Sequence, residues 1–377
     1  MISIYPILHL LVDGICALSM YSYFMDGDKA MMYILLYNLC AFALQMPFGV
    51  IADMLPGRRR YDKEKHCMYL ALIGVLVTIA GSFFSPIILG IGNALFHVGG
   101  GTAAVHDDKW KNRRGLGLGL FVAPGALGLF LGSTLYNSED ADLVFLTFRL
   151  LSILLCLGLV YVWYYHSEER KVQTKLKLFD PIQIKKYNDD SKKKEKPVFA
   201  QKFTKGQAVM ACVLCLLVVI IRSYVGLAVN FSWKEGVWLG VMSALYVCFG
   251  KVFGGFLGSK LGLFWTSAIS LCAAAICFVF ADVQAVGLLA QLLFNMTMPI
   301  TLTLLAQYLP GKEGFSFGFL SFGLFVGFLP AFFGLTIPNG CEFIAGIMCV
   351  LSLVLLLPVL RPENKAKSES SENTEAK

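Results

Sequence analysis

The sequence predicts an all-α integral membrane protein of about 12 transmembrane helices in two pseudo-symmetric six-helix bundles. Three observations carry that prediction. Hydrophobic residues make up 57% of the 377 positions and charged ones only 15%, too apolar a balance for a tandem of soluble domains. Basic residues are confined to alternate connections between apolar stretches. The stretch FGVIADMLPGRRR, ending at Arg60, is answered about two hundred residues later by GKVFGGFLGSKLG, ending at Gly262, and each follows a long apolar segment.

A helix that crosses a bilayer needs roughly 20 mostly apolar residues. The first such stretch, near 2–20, has no basic region before it and no small-residue cleavage site after it, so it reads as a retained helix. The second, near 30–51, ends in the first copy of the repeat. The third (67–84) and fourth (87–105) follow, then a glycine-rich fifth (115–135) and a sixth (143–165). The second six lie near 206–230, 237–258, 263–281, 286–308, 315–336 and 342–360. Cys212 and Cys215 form a C-x-x-C inside the seventh span, where small packing residues are expected and not redox or metal chemistry. In the eighth, Gly250, Gly254, Gly258 and Gly262 recur every four residues and predict a groove that another helix can enter. The expected organisation is therefore a bundle over 1–165, a basic cytoplasmic linker over 166–205, a second bundle over 206–361 and a cytoplasmic tail over 362–377. Linker and tail are too polar to fold alone.

The net charge of +7 does not point to nucleic acid once its distribution is followed. Only Lys29 and Lys234 fall in the odd-numbered connections, and Arg149, Arg222 and Lys251 lie within spans. That leaves 27 of the 32 Lys and Arg residues in the even-numbered connections and the tail. The odd connections are acidic, with Asp26, Asp28, Glu139, Asp140 and Asp142. This bias places both termini in the cytoplasm of a multi-pass protein of the cell membrane.

The residues GVIADMLPGRR resemble the cytoplasmic loop signature of the major facilitator superfamily, G-x-L-A-D-x-x-G-R-[RK]. Gly49, Ala52, Asp53, Gly57, Arg58 and Arg59 match it, with Pro56 inserted before Gly57. In the second copy Gly255, Leu257 and Gly262 match, and Ser259 stands where the acid belongs. The repeat register continues between Gly115 and Gly314 and between the Leu-Phe pairs before His97 and Asn295, making His97 and Asn295 symmetry mates. HLLVD in the first span, NALFHVGGG in the fourth, RRGLGLGLF entering the fifth and IRSY in the seventh are similar to the fosmidomycin-resistance branch and drug-efflux-like carriers. The segment FVAPGALGLFLGST is similar to the glycine-rich antiporter segment, with Pro124 displaced and Ser133 in place of a later proline. The resemblance implies alternating access, with Asp53, Gly49, Gly57, Arg58 and Arg59 forming a gating loop.

An ionised side chain at the bilayer centre costs about 2.5 to 3.5 kcal/mol even on the lenient insertion scale. Asp13 lies near the middle of the first span, with His9 one turn before it on the same face. Arg222 lies in the symmetry-related seventh span and reads either as a cross-cavity partner of Asp13 or as a separate charged cavity residue. A carboxylate so placed can take a proton from one side and release it on the other. His97, with Asn93 one turn earlier, and Asn295 are polar points at matched depth and read as cavity lining. Arg149 and Lys251, nearer span ends, read as anchoring or loop contacts.

No phosphate-binding loop, paired carboxylates, metal cluster or nucleophile elbow occurs, so a primary pump and an enzyme are both disfavoured and no cofactor or metal is expected. The expectation is a monomeric, proton-coupled secondary transporter of a small organic solute, working in the direction of export. The alternatives are an uptake symporter for an anionic metabolite and a non-transporting receptor or scaffold on a carrier fold. Single cysteines placed at Lys193 and Lys377 are expected to stay unlabelled by an impermeant reagent in intact cells; labelling there reverses the topology.

Overall fold

The computed structural model describes residues 3–25, 27–55, 60–111, 113–179 and 203–360, with side chains described for all but 60–61 and 167–179. Gly57, Arg58 and Arg59 of the expected gating loop lie outside the described residues, as does most of the expected linker. Twelve apolar helices are described: α1 Ile4–Phe24, α2 Ala30–Met54, α3 Arg60–Phe84, α4 Pro86–Lys111, α5 Leu116–Leu135, α6 Ala141–Phe179, α7 Lys205–Ala228, α8 Gly236–Leu261, α9 Leu263–Val279, α10 Gln284–Tyr308, α11 Glu313–Phe332 and α12 Phe343–Leu356. Ten contain a stretch long and apolar enough to cross a membrane, and α9 and α12 are shorter apolar helices. Among the described residues there is no strand, only an isolated bridge between Val229 and Ile337.

The helices match the expected spans in order and outrun them at charged ends. α3 begins seven residues before the expected start and α6 continues to Phe179, because the lysines and glutamates there are good helix formers that need no burial. α1 and α2 each widen to a π-helical segment, Met20–Phe24 and Leu39–Ala43. α10 is interrupted where Asn295 ends one segment and Thr297 begins the next, whereas its repeat mate α4 runs unbroken.

Packing repeats between the halves. α3 pairs with α4 as α9 does with α10, and α1 packs on α5 as α7 does on α11. Two seams join the halves, α2 against α11 and α5 against α8, and they exchange under the same repeat. Hydrocarbon gives no hydrophobic drive for helices to associate, so close backbone approach supplies the cohesion. A Cβ on Gly128 of α5 would strike the carbonyl of Leu10 in α1. On α8, Gly250 and Gly254 face the carbonyls of Leu292 and Met296, so the predicted groove receives α10. Gly49 and Gly314 meet across one seam, Gly255 and Gly115 across the other. Gly115 also caps α5 with a left-handed φ of 96°, and a Cβ there would stand 2.6 Å from Thr303 Oγ1.

Gly254→Val is expected to destabilise the detergent-solubilised protein by about 1 to 3 kcal/mol through overpacking. Gly226→Val, where a Cβ would meet nothing within 4 Å, is expected to stay within about 0.5 kcal/mol. Thermal unfolding followed by intrinsic fluorescence compares the two, and equal effects would refute the groove.

Candidate functional site

The buried polar residues of the first half converge on one point. His9 and Asp13 stand one turn apart on α1, Asn93 and His97 one turn apart on α4, and all four are buried. His9 Nε2 lies 3.1 Å from Asp13 Oδ2 and 2.8 Å from His97 Nε2, and His97 Nε2 lies 3.7 Å from Asp13 Oδ1. Asn93 Nδ2 donates to Asp13 Oδ1 at 2.9 Å, which fixes the carboxylate's orientation. The rings sit among aromatic walls, His9 stacked on Phe121 with centroids 4.8 Å apart. Gly125 on α5 lets this happen: a Cβ there would strike His9 Nε2 and lie 2.5 Å from Asp13 Oδ2.

The hydrogen bonds constrain where the ring protons sit. His9 Nδ1 is 2.6 Å from the carbonyl oxygen of Phe121 and His97 Nδ1 is 2.9 Å from that of Asn93. A carbonyl oxygen only accepts, so both Nδ1 atoms carry hydrogen. With neutral rings the two Nε2 lone pairs would then face each other at 2.8 Å. One further proton turns that contact into a hydrogen bond, and its positive charge is balanced by Asp13. With one such proton the cluster would be electrically neutral, the form that a low-dielectric interior favours.

Phe121 belongs to the turn of α5 just before Pro124, which contributes no N–H to the helix. The next carbonyl, that of Val122, accepts from Lys251 Nζ on α8 at 3.2 Å. Lys251 is thus not an anchor at a span end, as its position suggested. It crosses the α5–α8 seam one residue from the carbonyl that orients His9.

The other expected site residues fall outside the cluster. Arg222 on α7 is 7% exposed, makes no ion pair among the described residues, and leaves Nη1 without a partner. It is a separate charged residue and not the partner of Asp13, whose oxygens are already taken by His9, His97 and Asn93. Asn295 Nδ2 donates 2.9 Å to the carbonyl of Gln291 on its own helix. Symmetry therefore matches its depth to His97 without bringing it to the same point. Arg149 donates to Ser82 Oγ at 3.0 Å and lies over the rings of Phe83 and Phe145, at the edge of the first half.

A second cluster fastens the α2–α11 seam. Asp53 at the end of α2 accepts from the backbone N–H of Gly314 at 2.9 Å and of Phe315 at 2.7 Å. It thereby caps the first turn of α11, where the helix dipole favours an anion. Glu313 accepts from Lys63 at 2.5 Å and from Lys109 at 2.7 Å, and Lys63 also lies 3.4 Å from Asp53. Four helix ends, from α2, α3, α4 and α11, are tied together. The opposite seam carries no matching acid, since Ser259 stands in the second copy of the repeat. There the N–H groups of Gly117 and Leu118 are capped at 2.7 and 2.9 Å by Asp108 of α4 in the same half.

Sequence reasoning singled out Asp53 and missed Glu313, Lys63, Lys109 and Asp108. The signal was available: an acid at a helix end otherwise ruled by basic residues needs a reason, and that argument selects Glu313 and Asp108 as it selected Asp53. His9, Asp13 and His97 each bring a nitrogen or oxygen within 4.8 Å of the others, the composition of a small-cation site. The 2.8 Å between the two Nε2 atoms also fits a shared proton.

Asp53→Asn is expected to slow flux several-fold while leaving ligand affinity within about twofold, because the acid biases one closed arrangement and touches no ligand. Binding by calorimetry and flux in proteoliposomes are the two readouts, and an equal loss of both at normal expression removes Asp53 from the gate.

The sequence profile described as the Major Facilitator Superfamily matches residues 11–329. No match was found among curated proteins. Among solved structures the chain is similar to an MFS transporter, FucP, in the outward conformation, at 12% identity with a TM-score of 0.56, covering 96% of this chain and 99% of that one. It is similar to the human organic anion transporter MFSD10 at 13% identity and a TM-score of 0.60, covering 94% and 98% of the two chains. A bacterial homologue of the iron transporter ferroportin in an outward-facing state gives 14% identity and a TM-score of 0.55, covering 95% and 98%. At these identities the structures speak for the fold, and the profile for the family. With twelve apolar helices paired in two matching sets and a family profile spanning most of its length, this multi-pass membrane protein belongs to the major facilitator superfamily, a family of transporters and not of enzymes.

Proposed function

We propose that this protein is a proton-coupled secondary active transporter that moves a small organic solute by alternating access. The single observation carrying the coupling is the 2.8 Å contact between His9 Nε2 and His97 Nε2 beside Asp13, a distance that fits a shared proton. The titratable groups around it are Cys16 on α1, Tyr37 on α2 and Lys251 with Cys248 on α8. Releasing the proton leaves a net negative charge that must be rehydrated or met by a cation, so proton movement is tied to the arrangement of the helices. Asp53, Gly49, Gly57, Arg58 and Arg59 serve as the gate at the end opposite the acidic loops. In this reading the units 1–165 and 206–361 rock about the substrate as a monomer in the cell membrane, with the linker over 166–205, the tail and both termini cytoplasmic. Asn93 orients the carboxylate, and Asn295 stands at the matching depth in the other half.

The resemblance of the first, fourth, fifth and seventh spans to drug-efflux-like carriers favours export. The buried Arg222, with no anion to meet it among the described residues, favours the second reading, uptake of an anion together with a proton. Among the similar structures, one is described as a fucose:proton symporter and one as an organic anion transporter, so this scaffold accommodates each kind of cargo in some protein.

Nitrogen NMR on protein labelled in histidine is expected to show both Nδ1 atoms protonated near neutral pH and one proton shared across the Nε2 pair. Asp13→Asn is expected to abolish solute accumulation driven by a pH gradient while sparing solute-for-solute exchange. Two neutral rings protonated on Nε2, or wild-type accumulation by Asp13→Asn, would overturn the assignment.

A further inference from the structure

Two nitrogen lone pairs and a carboxylate converge on one point between α1 and α4. The carbonyls of Phe121 and Asn93 hold both Nδ1 hydrogens, so in the neutral rings His9 Nε2 and His97 Nε2 are the lone-pair atoms. They face each other at 2.8 Å, and oxygens of Asp13 stand 3.1 Å from the first and 3.7 Å from the second. Ligands held about 2.0 to 2.2 Å from one zinc ion lie about 2.8 to 3.6 Å from each other in octahedral or tetrahedral geometry. The three donors therefore come close to the mutual spacing of ligands on a single ion. Gly125 on α5 keeps side chains off that point, since a Cβ there would stand 2.5 Å from Asp13 Oδ2 and closer still to His9 Nε2.

What surrounds the donors is also what a metal site requires. A metal-bound imidazole donates its other N–H to a carbonyl or carboxylate, and a ligating carboxylate is itself hydrogen-bonded. Here both Nδ1 atoms meet carbonyls, and Asn93 Nδ2 donates to Asp13 Oδ1 at 2.9 Å. His9 and Asp13, one turn apart on α1, fix two ligands on one helix, and α4 supplies the third together with Asn93. The ligands come from helices far apart in sequence, which is why no metal-binding spacing shows in the chain. We infer that His9, Asp13 and His97 form a binding site for a divalent first-row transition-metal ion. Two imidazoles and one carboxylate suit zinc, cobalt or iron(II), whereas magnesium and calcium take oxygen donors. Three protein donors leave a coordination position open. The side chains of His97 and Asp13 are 11% and 9% exposed and that of His9 5%, so an arriving ion meets the first two before the third. The ion takes the place of the shared proton, and the two exclude each other. The inference rests on the coupling reading above in one respect, the proton that the ion displaces; the three ligands stand without it.

The experiment uses the purified full-length protein, stripped with a chelator, and four probes: zinc, cobalt, magnesium and calcium as divalent ions. Calorimetry is expected to find one tight equivalent of zinc or cobalt and none of magnesium or calcium, since among the described residues no second group of three such donors converges. His97→Gln and Asp13→Asn are expected to weaken zinc at least about a hundredfold and Asn93→Ala about ten- to a hundredfold. The control His66→Gln, on α3 and outside the cluster, is expected to bind as the wild type does. A merely structural role would lower the metal-free melting temperature of the variants and leave the zinc affinity of the folded protein unchanged. If both ligand variants fail to fold, the wild type decides. Bound cobalt is expected to show the visible bands of a nitrogen and oxygen site with no thiolate charge-transfer band, and zinc to shift both Nε2 resonances of histidine-labelled protein while the Nδ1 hydrogens remain. No binding of zinc or cobalt, undiminished binding in both ligand variants, equal binding of magnesium, or a thiolate band that puts the ion on a cysteine such as Cys16 overturns the site. In the same spectra the signal of the proton shared by the Nε2 pair is expected to vanish as zinc is added. Zinc binding by a pair that shows no shared proton beforehand leaves the metal site standing and refutes the exclusion and the coupling reading together. A pair that shares a proton and binds no zinc overturns the metal site and leaves the coupling reading in place.

Discussion

Two imidazoles meeting edge to face across α1 and α4 determine how the first half is arranged. Their Nδ1 atoms are anchored to the carbonyls of Phe121 and Asn93, so a shift of α5 against α1 breaks a hydrogen bond in a medium that offers no replacement. Asn93 closes the remaining side of Asp13, and Gly125 gives the room. What holds the cluster is therefore a chain of obligatory polar contacts within an apolar solvent. Each contact costs more to lose than it contributes when formed.

The same rule explains why some of the site was legible in the sequence. Asp13, His9 and His97 stood out because ionisable residues inside apolar spans are expensive, and the one-turn spacings of His9 to Asp13 and of Asn93 to His97 placed each pair on one face. Which helices would meet could not be read, because α1, α4 and α5 are brought together by contacts far apart in sequence. The pairing of Asp13 with Arg222 looked natural from the repeat, yet repeat symmetry fixes depth and says nothing of which way a long side chain turns. Asn295 illustrates the same limit, matched in depth and turned to its own helix. Lys251 was misplaced because its distance from the helix end suggested snorkelling, whereas the Pro124 turn offers it a carbonyl in the interior.

The fold itself was more legible than the site. Hydrophobic length and charge alternation suffice to locate membrane helices, since a lipid environment permits few alternatives. The glycines at every fourth position of α8 likewise announced a close neighbour, which proved to be α10. Helix ends were less well located, because the charged residues beyond each span obey helix propensity and not hydrophobicity. The long extension of α6 is the clearest instance.

The two seams between the halves are fastened by different means. α2 and α11 are tied by two acids and two lysines, whereas α5 and α8 meet through glycines, and the N-terminus of α5 is capped by Asp108 from within its own half. A repeat that looks symmetric in its backbone is thus lopsided in what must be broken to part it. Parting α2 from α11 strips charges of their partners, a barrier sensitive to ions and to water entering from that face. Parting α5 from α8 costs van der Waals contact and the hydrogen bond from Lys251 to Val122, and separates no ion pair among the described residues. In mechanical terms, one edge is a clasp and the other a smooth joint, and the Pro124 turn that holds both His9 and Lys251 lies on the smooth joint.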